Sequence, residues 1–139
     1  MKRPAILFAL AALCMGACRP TEQRRDFYPD RRLKSQSSFA RGLGGESLRH
    51  GLQSAWYPDG AKESLEAYVE GYRQGYSIHW YPNGRLRSVE HFTDGERDGR
   101  AKYWDESGAL AACYDGAAGD CLRAGADDAG YAERVAGKP

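Results

Sequence analysis

The sequence has few histidines and cysteines, almost no net charge and a single long apolar run. It contains three histidines and four cysteines, and its formal net charge is +1. Beyond the apolar run near its start, no second segment approaches the roughly 20 apolar residues that cross a bilayer. We therefore expect nothing in the rest of the chain to span a membrane.

The balance of charge argues against nucleic acid as a partner. Without Lys2 and Arg3, which a cleaved leader would remove, 18 basic residues stand against 19 acidic ones. A nucleic-acid-binding domain normally has a clear basic excess. One local bias remains, because the stretch from Arg19 to Arg41 holds seven basic and three acidic residues. Such a stretch could touch anionic headgroups beside a lipid anchor, or it could be a solvated tether.

The histidines do not indicate an enzyme. His50 lies beside a loop glycine, and His79 and His91 fall on predicted strands whose equivalent segments have other residues at these positions. The sequence arranges no nucleophile or paired carboxylate with them. The glycines are spaced for turns and not for a phosphate-binding loop. We therefore expect no catalytic site and no cofactor, and we expect His79 and His91 to be solvated.

The start of the chain has the pattern of a secretory signal. Residues Ala5 to Ala17 form an apolar run of 13 after a short basic start, which is too short for a spanning helix. The run ends in Met15-Gly16-Ala17-Cys18, which resembles a bacterial lipobox. The alternative is an ordinary cleaved signal with an incidental cysteine. The lipobox predicts lipid attachment at Cys18. By resemblance to Gram-negative lipoproteins, the lack of Asp at the next position, which is Arg19, suggests an outer-membrane lipoprotein facing the periplasm.

Two cysteines remain in the body of the chain after such processing. Cys113 and Cys121 lie eight positions apart, on either side of a turn-rich stretch. In an oxidising compartment such a pair usually forms a disulfide. A metal site is a weaker alternative, because two thiols without a nearby histidine make poor ligation, and two free thiols are the third. We expect the disulfide and no metal.

The sequence "WYPDG" at Trp56 returns 24 residues later as "WYPNG" at Trp80, and again, more weakly, as "WDESG" at Trp104. A fixed period of this kind indicates a repeat protein. A weaker copy precedes them at Phe27 to Leu33, with Arg31 in place of the turn glycine. The residues that recur with the period, and that we expect to be structural, are Trp56, Gly60, Tyr68, Gly71, Gly75, Trp80, Gly84, Phe92, Gly95, Gly99, Trp104 and Gly108.

Each unit reads as a β-hairpin. Pro82-Asn83-Gly84 suits a tight reversal, because proline fixes φ and glycine adopts the left-handed conformation. The alternation from Tyr76 to Tyr81 predicts a strand, and the recurring Glu66 is expected to pair with solvent or across strands. Wide loops are expected at Val69–Gly75 and Thr93–Gly99. The units predict an all-β antiparallel meander, with the tryptophans in a ladder along the tight-turn edge.

The motifs W-Y-x-[DN]-G, E-x-[YF] and G-x-x-x-G at this spacing resemble the MORN-repeat variant of the YwqK-type bacterial family. Matching positions run from about Gly51 to Gly108. The resemblance implies a non-catalytic repeat protein. Members of that family are often labelled antitoxins, and related MORN repeats serve as scaffolds for protein or lipid contact. An exported member suits an immunity protein or an envelope binding module better than a cytoplasmic antitoxin.

The predicted function is non-covalent binding of a protein partner by a domain held to the membrane through Cys18. The alternatives are an immunity protein that neutralises a toxin and a scaffold contacting membrane or cell wall. Candidate contact residues are Tyr57, Tyr81, Arg73 and Arg97, although the two tyrosines could instead pack beneath the next turn. The expected organisation is a signal peptide (1–17), a basic tether or degenerate repeat (18–41), the MORN-like hairpin domain (42–122) and a flexible tail (123–139).

Overall fold

The computed structural model describes residues 21–114, and every regular element in this part of the chain is a β-strand. This confirms the predicted all-β class. The nine strands are β1 (Thr21–Phe27), β2 (Leu33–Arg41), β3 (Ser47–Arg49), β4 (Gly51–Trp56), β5 (Lys62–Val69), β6 (Tyr72–Trp80), β7 (Leu86–Thr93), β8 (Glu96–Trp104) and β9 (Leu110–Tyr114).

The strands form one antiparallel sheet whose spatial order follows the chain. The path runs β1-β2-β4-β5-β6-β7-β8-β9, and β3 pairs with β2 beside it. Only His50 separates β3 from β4, and both pair with β2, so they act as two parts of one long strand. Consecutive strands are therefore joined as hairpins, which confirms the meander that the 24-residue period predicted.

The reversals that follow the tryptophans have the predicted geometry. The amide of Gly84 donates to the carbonyl of Tyr81 at 2.9 Å, and the amide of Tyr81 donates to the carbonyl of Arg85 at 2.8 Å. Gly84 has φ +80°, a left-handed conformation that glycine adopts without steric cost. The same arrangement recurs at Gly60 and Gly108, so these glycines close three-residue loops between strands.

The opposite reversals are tighter than expected, and the wide loops predicted at Val69–Gly75 and Thr93–Gly99 are wrong. Only Glu70 and Gly71 join β5 to β6, and the hairpin of β7 and β8 has the same form. Both residues of the turn have positive φ, as a two-residue type I′ turn requires. Gly75 also has positive φ, but it lies inside β6, where the register with β5 shifts. It marks a bulge in a strand, not the end of a loop.

The sheet begins before residue 42, the boundary that we drew from the sequence. Strands β1 and β2 pair as a hairpin over Thr21–Arg41, in the segment expected to be a tether or a degenerate repeat. Their turn places Arg31 where the other turns have glycine, with φ +68° and its amide 2.9 Å from the carbonyl of Tyr28. This segment therefore has the hairpin form of the later units, and Gly42–Glu46 is inserted after it.

One face of the sheet, which we call the tryptophan face, carries the apolar core. Leu65, Ile78 and Val89 lie in register on β5, β6 and β7. Ile78 is fully buried, and three partly buried apolar side chains pack against it and Val89, namely Trp80, Leu86 and Trp104. The tryptophans of the repeat end β4, β6 and β8 at the edge of the Gly84-type turns, as the predicted ladder requires.

The opposite face, which we call the arginine face, is polar and aromatic. Glu66, Ser77 and Glu90 lie in register there, one position along from the apolar row. Tyr68 and Phe92, the recurring aromatics that are not tryptophan, are buried on this face at 6% and 8% exposure. The two aromatic sets of the repeat therefore pack on opposite sides of the sheet.

Several predicted sites lie outside the described residues. These include Cys18, Cys121, the leader at 1–17 and the tail at 123–139. Cys113 lies on β9 and is disulfide-bonded. Because its predicted partner falls outside the described residues, the pairing with Cys121 stays a prediction.

Candidate functional site: the arginine face

Four arginines on the arginine face each lie over an aromatic ring, and we call this set the arginine ladder. The distances from the guanidinium carbon to the ring centroid are 4.5 Å for Arg24 over Phe39, 5.3 Å for Arg49 over Tyr68, 4.9 Å for Arg73 over Phe92 and 5.3 Å for Arg97 over Tyr114. All four distances are within the range of cation–π contacts. In each pair the arginine and the ring lie on neighbouring strands, so the contact depends on the sheet.

The ladder follows the repeat. Its arginines lie on β1, β3, β6 and β8, which is one arginine on every second strand of the sheet. Arg49 and Arg73 occupy equivalent positions, because the backbone carbonyl of each accepts a hydrogen bond from the glycine amide of the next two-residue turn. The amide of Gly71 lies 2.8 Å from the carbonyl of Arg49, and the amide of Gly95 lies 3.0 Å from the carbonyl of Arg73. The same backbone geometry therefore presents an arginine once per hairpin unit.

Glu66 is held at the centre of the ladder. Its carboxylate accepts a hydrogen bond from the Tyr68 hydroxyl at 3.1 Å and lies 3.6 Å from Nη2 of Arg73 and 3.7 Å from Nε2 of His79. The contact with His79 is the largest cause that lowers the pKa of Glu66 from its ordinary 4.5 to about 2. Burial opposes this change, while the charge of Arg73 and the Tyr68 hydroxyl add to it. Glu66 is therefore a fixed anion.

The Tyr68 hydroxyl joins two rungs of the ladder. It accepts hydrogen bonds from Nε of Arg73 at 3.3 Å and from Nη1 of Arg49 at 3.4 Å. The hydrogen bond between Arg73 and the Tyr68 hydroxyl is the largest cause that raises the pKa of Arg73. A single ring thus supports the guanidinium of Arg49 by stacking and orients that of Arg73 by hydrogen bonding.

The last rung is built from different residues. Arg97 lies 3.9 Å from the Glu90 carboxylate and donates from Nη1 to the Tyr103 hydroxyl at 3.2 Å. Burial raises the pKa of Tyr103, and Glu90 raises it further. The sequence has no aromatic at position 116, where the period places one. Tyr114 instead takes the register position that Glu66 and Glu90 hold in earlier units, and its ring receives Arg97.

A cavity of about 280 Å³ opens at the β1 end of the ladder. Arg24 and Arg41 contribute two cationic groups to its lining, and Glu22 contributes a carboxylate that bonds Nε of Arg24 at 2.9 Å. The remaining lining residues are Phe39, Ala40, Gly45 and Ser47. The surface is therefore concave and positively charged at this end.

Ser77, His79 and Glu66 lie together but do not form a catalytic triad. The Ser77 hydroxyl and the Glu66 carboxylate both lie nearest to Nε2 of His79, at 3.2 and 3.7 Å. A triad needs the acid on the other ring nitrogen, so that the imidazole can accept the nucleophile's proton. Ser77 is also only 2% exposed. His79, with a side chain 24% exposed, is a partnered residue, so its predicted solvation is wrong.

Among the predicted contact residues, the two tyrosines are used internally. The Tyr57 hydroxyl donates to the carbonyl of Trp80 at 2.8 Å, and the Tyr81 hydroxyl donates to the carbonyl of Trp104 at 2.9 Å. Burial is the largest cause that raises the pKa of Tyr57. This is the packing role that the sequence left as an alternative. Arg73 and Arg97, in contrast, lie half-exposed on the arginine face.

Sequence reasoning missed Arg24 and Arg49 as members of the same surface. A signal for Arg49 was present, because Arg49, Arg73 and Arg97 are 24 residues apart. Arg24 has no such signal, since the insertion at Gly42–Glu46 breaks the period before Arg49.

Comparison with family models, with curated proteins and with solved structures finds no match to this chain. Within residues 21–114, no three His, Cys, Asp or Glu side chains are grouped so that they could hold a metal ion. The same residues contain no helix with the length and apolar character needed to cross a membrane.

Proposed function

We propose that this protein is a non-catalytic protein-binding module of the cell envelope, and that the arginine ladder is its contact surface. The observation that supports the proposal is the repetition of the arginine–aromatic stack on one side of the sheet. Arginine and aromatic residues are enriched at protein interfaces.

The stacks reduce the cost of using arginine for binding. A free arginine loses side-chain freedom when it binds, at about 0.5–1.5 kcal/mol for an immobilised side chain. Arg73 and Arg97 are already held by rings and hydroxyls, yet their side chains remain 43% and 46% exposed. They are therefore both pre-organised and accessible, which favours a role in recognition.

A crosslinking experiment in intact cells tests this surface. A photo-crosslinking amino acid at position 47, which lies two residues before Arg49 on β3 and therefore on the arginine face, should capture one specific protein. The Arg73→Ala/Arg97→Ala pair should abolish this crosslink. Arg25→Ala is the control and should leave the crosslink unchanged, because Arg25 neighbours Arg24 on β1 and points to the opposite face. A crosslink that survives the double change would contradict the proposal. A toxin as the captured protein would make this an immunity protein.

The location at the envelope is a separate part of the proposal, supported by the sequence Met15-Gly16-Ala17-Cys18. A single acyl chain binds membranes only marginally, but several chains on one cysteine anchor a protein stably. Cys18→Ser should therefore move the protein out of the membrane fraction. If the variant still sediments with membranes after a high-salt wash, the lipid anchor is wrong.

A further inference from the structure

The spacing of the arginine ladder specifies a kind of partner. Neighbouring strands lie about 4.7–4.9 Å apart, so backbone positions on every second strand recur at about 9.4–9.8 Å along the sheet. A bound chain that crosses the strands would meet one arginine per interval at Arg49, Arg73 and Arg97, which are 24 residues apart. Arg24 lies two residues along β1 from Glu22, the residue that shares the register of Arg49. A partner that uses the three in-register arginines must present its binding groups with the same repeat.

We propose that the ladder binds an extended acidic peptide in the polyproline II conformation, with a carboxylate at every third residue. This inference rests on the proposed function and names the chemistry of its partner. In polyproline II, three residues complete one turn and advance about 9.3 Å, so every third side chain points the same way. Over the two intervals from Arg49 to Arg97, the mismatch is at most about 1 Å.

Other regular peptide conformations fit the ladder less well. In a β-strand, side chains on one face recur at about 6.6–6.8 Å, so a carboxylate on every such position meets an arginine only occasionally. In an α-helix, two turns bring a side chain back to the same face after seven residues, or about 10.5 Å. Over the two intervals from Arg49 to Arg97 this exceeds the arginine spacing by about 2 Å.

The charges of the described residues favour a carboxylate partner. Four arginines form the ladder, and three glutamates contact them, namely Glu22, Glu66 and Glu90. The carboxylates of Glu66 and Glu90 lie 3.6 and 3.9 Å from their arginines, longer than a direct hydrogen bond. Guanidinium has five N–H donors, and among the described residues the polar contacts of Arg97 involve Nη1 alone. Donors of Arg97 thus remain for a bidentate carboxylate.

Fluorescence anisotropy with two peptides of equal composition tests the inference on the full chain in non-ionic detergent. The first peptide has four Glu-Pro-Pro triplets. The second has the same four glutamates alternating with proline, followed by the remaining prolines. Because only the first places all its carboxylates on one face, it should bind about tenfold or more tightly. Equal affinities, or tighter binding of the second peptide, would overturn the inference.

Variants and competitors separate this inference from the proposed function. Arg73→Lys/Arg97→Lys should weaken the triplet peptide, because lysine keeps the charge but not the bidentate geometry. Arg25→Ala should leave its affinity unchanged. If anionic lipid vesicles or inorganic polyphosphate bind through the ladder and the triplet peptide does not, the inference is wrong. If the peptide fails while the crosslink at position 47 still depends on Arg73 and Arg97, the proposed function stands and only the peptide chemistry is overturned.

Discussion

The hydroxyl of Tyr81 donates a hydrogen bond to the backbone carbonyl of Trp104, 2.9 Å away, and so ties one hairpin unit to the next. Tyr81→Phe should lower the free energy of unfolding by about 0.5–1.5 kcal/mol, because it removes one part-buried hydrogen bond and little volume. Urea denaturation measures this loss. Tyr72→Phe is the control, since Tyr72 is 63% exposed and should change stability by far less. Equal effects would show that the tie contributes nothing.

The turn glycine at position 84 offers a test of backbone strain without a steric clash. Gly84 has φ +80°, and apart from Gly84 itself and its two chain neighbours no atom lies within 4 Å of where a Cβ would be. Gly84→Val should therefore cost about 1–3 kcal/mol through the backbone conformation alone. Thermal denaturation checks the value. An unchanged melting temperature would contradict the assignment of a left-handed turn residue.

Arg31 offers the opposite change in the equivalent turn. It holds φ +68° with a side chain, which costs about 1–2 kcal/mol relative to an ordinary conformation. Arg31→Gly should relieve this strain and raise the free energy of unfolding by about 0.5–1 kcal/mol, after the greater unfolded-state entropy of glycine is counted. Arg31→Ala keeps the strain and is the control. A glycine variant no more stable than the alanine variant would contradict this account.

Glu66 should make the stability of the protein depend on pH in the acid range. Its folded pKa of about 2 lies below its ordinary 4.5, so the unfolded chain binds a proton more readily than the folded protein. The resulting stabilisation is present in full above pH 4.5 and is lost as the pH falls through 2. It amounts to at most about 3 kcal/mol.

The comparison of wild type with Glu66→Gln by urea denaturation isolates this contribution. The stability of the wild type should fall more steeply between pH 5 and pH 2 than that of the variant. His79→Asn, followed by NMR titration of the Glu66 side chain, should raise the pKa of Glu66, because His79 is the largest cause of its lowering. If the free energies of unfolding of wild type and Glu66→Gln change in parallel with pH, this prediction is wrong.

The predicted bridge between Cys113 and Cys121 should hold the end of the repeat array. A terminal unit has a neighbour on one side only and frays most readily. For a loop this short, the bridge restricts the unfolded chain by about 2–3 kcal/mol. Reduction should therefore expose the amides of β9 to hydrogen exchange before those of β6. Alkylation of both thiols in the native protein without prior reduction would show that no bridge exists.

The sequence allowed the tight-turn edge to be predicted almost in full, but not the opposite edge. Gly60 and Gly84 close Pro-Asp-Gly and Pro-Asn-Gly, so their turns were readable locally, and Gly108 keeps the same spacing. Gly75 gave no such signal, because a positive φ serves equally for a loop end and for a bulge inside a strand. Only the pairing of β5 with β6 distinguishes the two, and that pairing is a property of the folded sheet.

The arginine ladder was only half predictable for a related reason. Arg73 and Arg97 stood out as recurring loop arginines, but their stacking partners, Phe92 and Tyr114, are 19 and 17 residues away in the chain. The period marked Phe92 only as a recurring structural residue, and it did not place Tyr114 in the repeat. Their position on the arginine face depends on strand alternation beside a bulge, which shifts the register by a few residues.

The tyrosine ties point one way along the array, from Tyr28 to Trp56, from Tyr57 to Trp80 and from Tyr81 to Trp104. Removing the last unit would leave a tyrosine hydroxyl without its acceptor, whereas removing the first would leave only a carbonyl that water can reach. The array therefore has a direction, because in every tie the donor lies in one unit and the acceptor lies in the next unit toward the C-terminus. During evolution, gene duplications that add or lose hairpins at the N-terminal end should disturb it less than those at the C-terminal end.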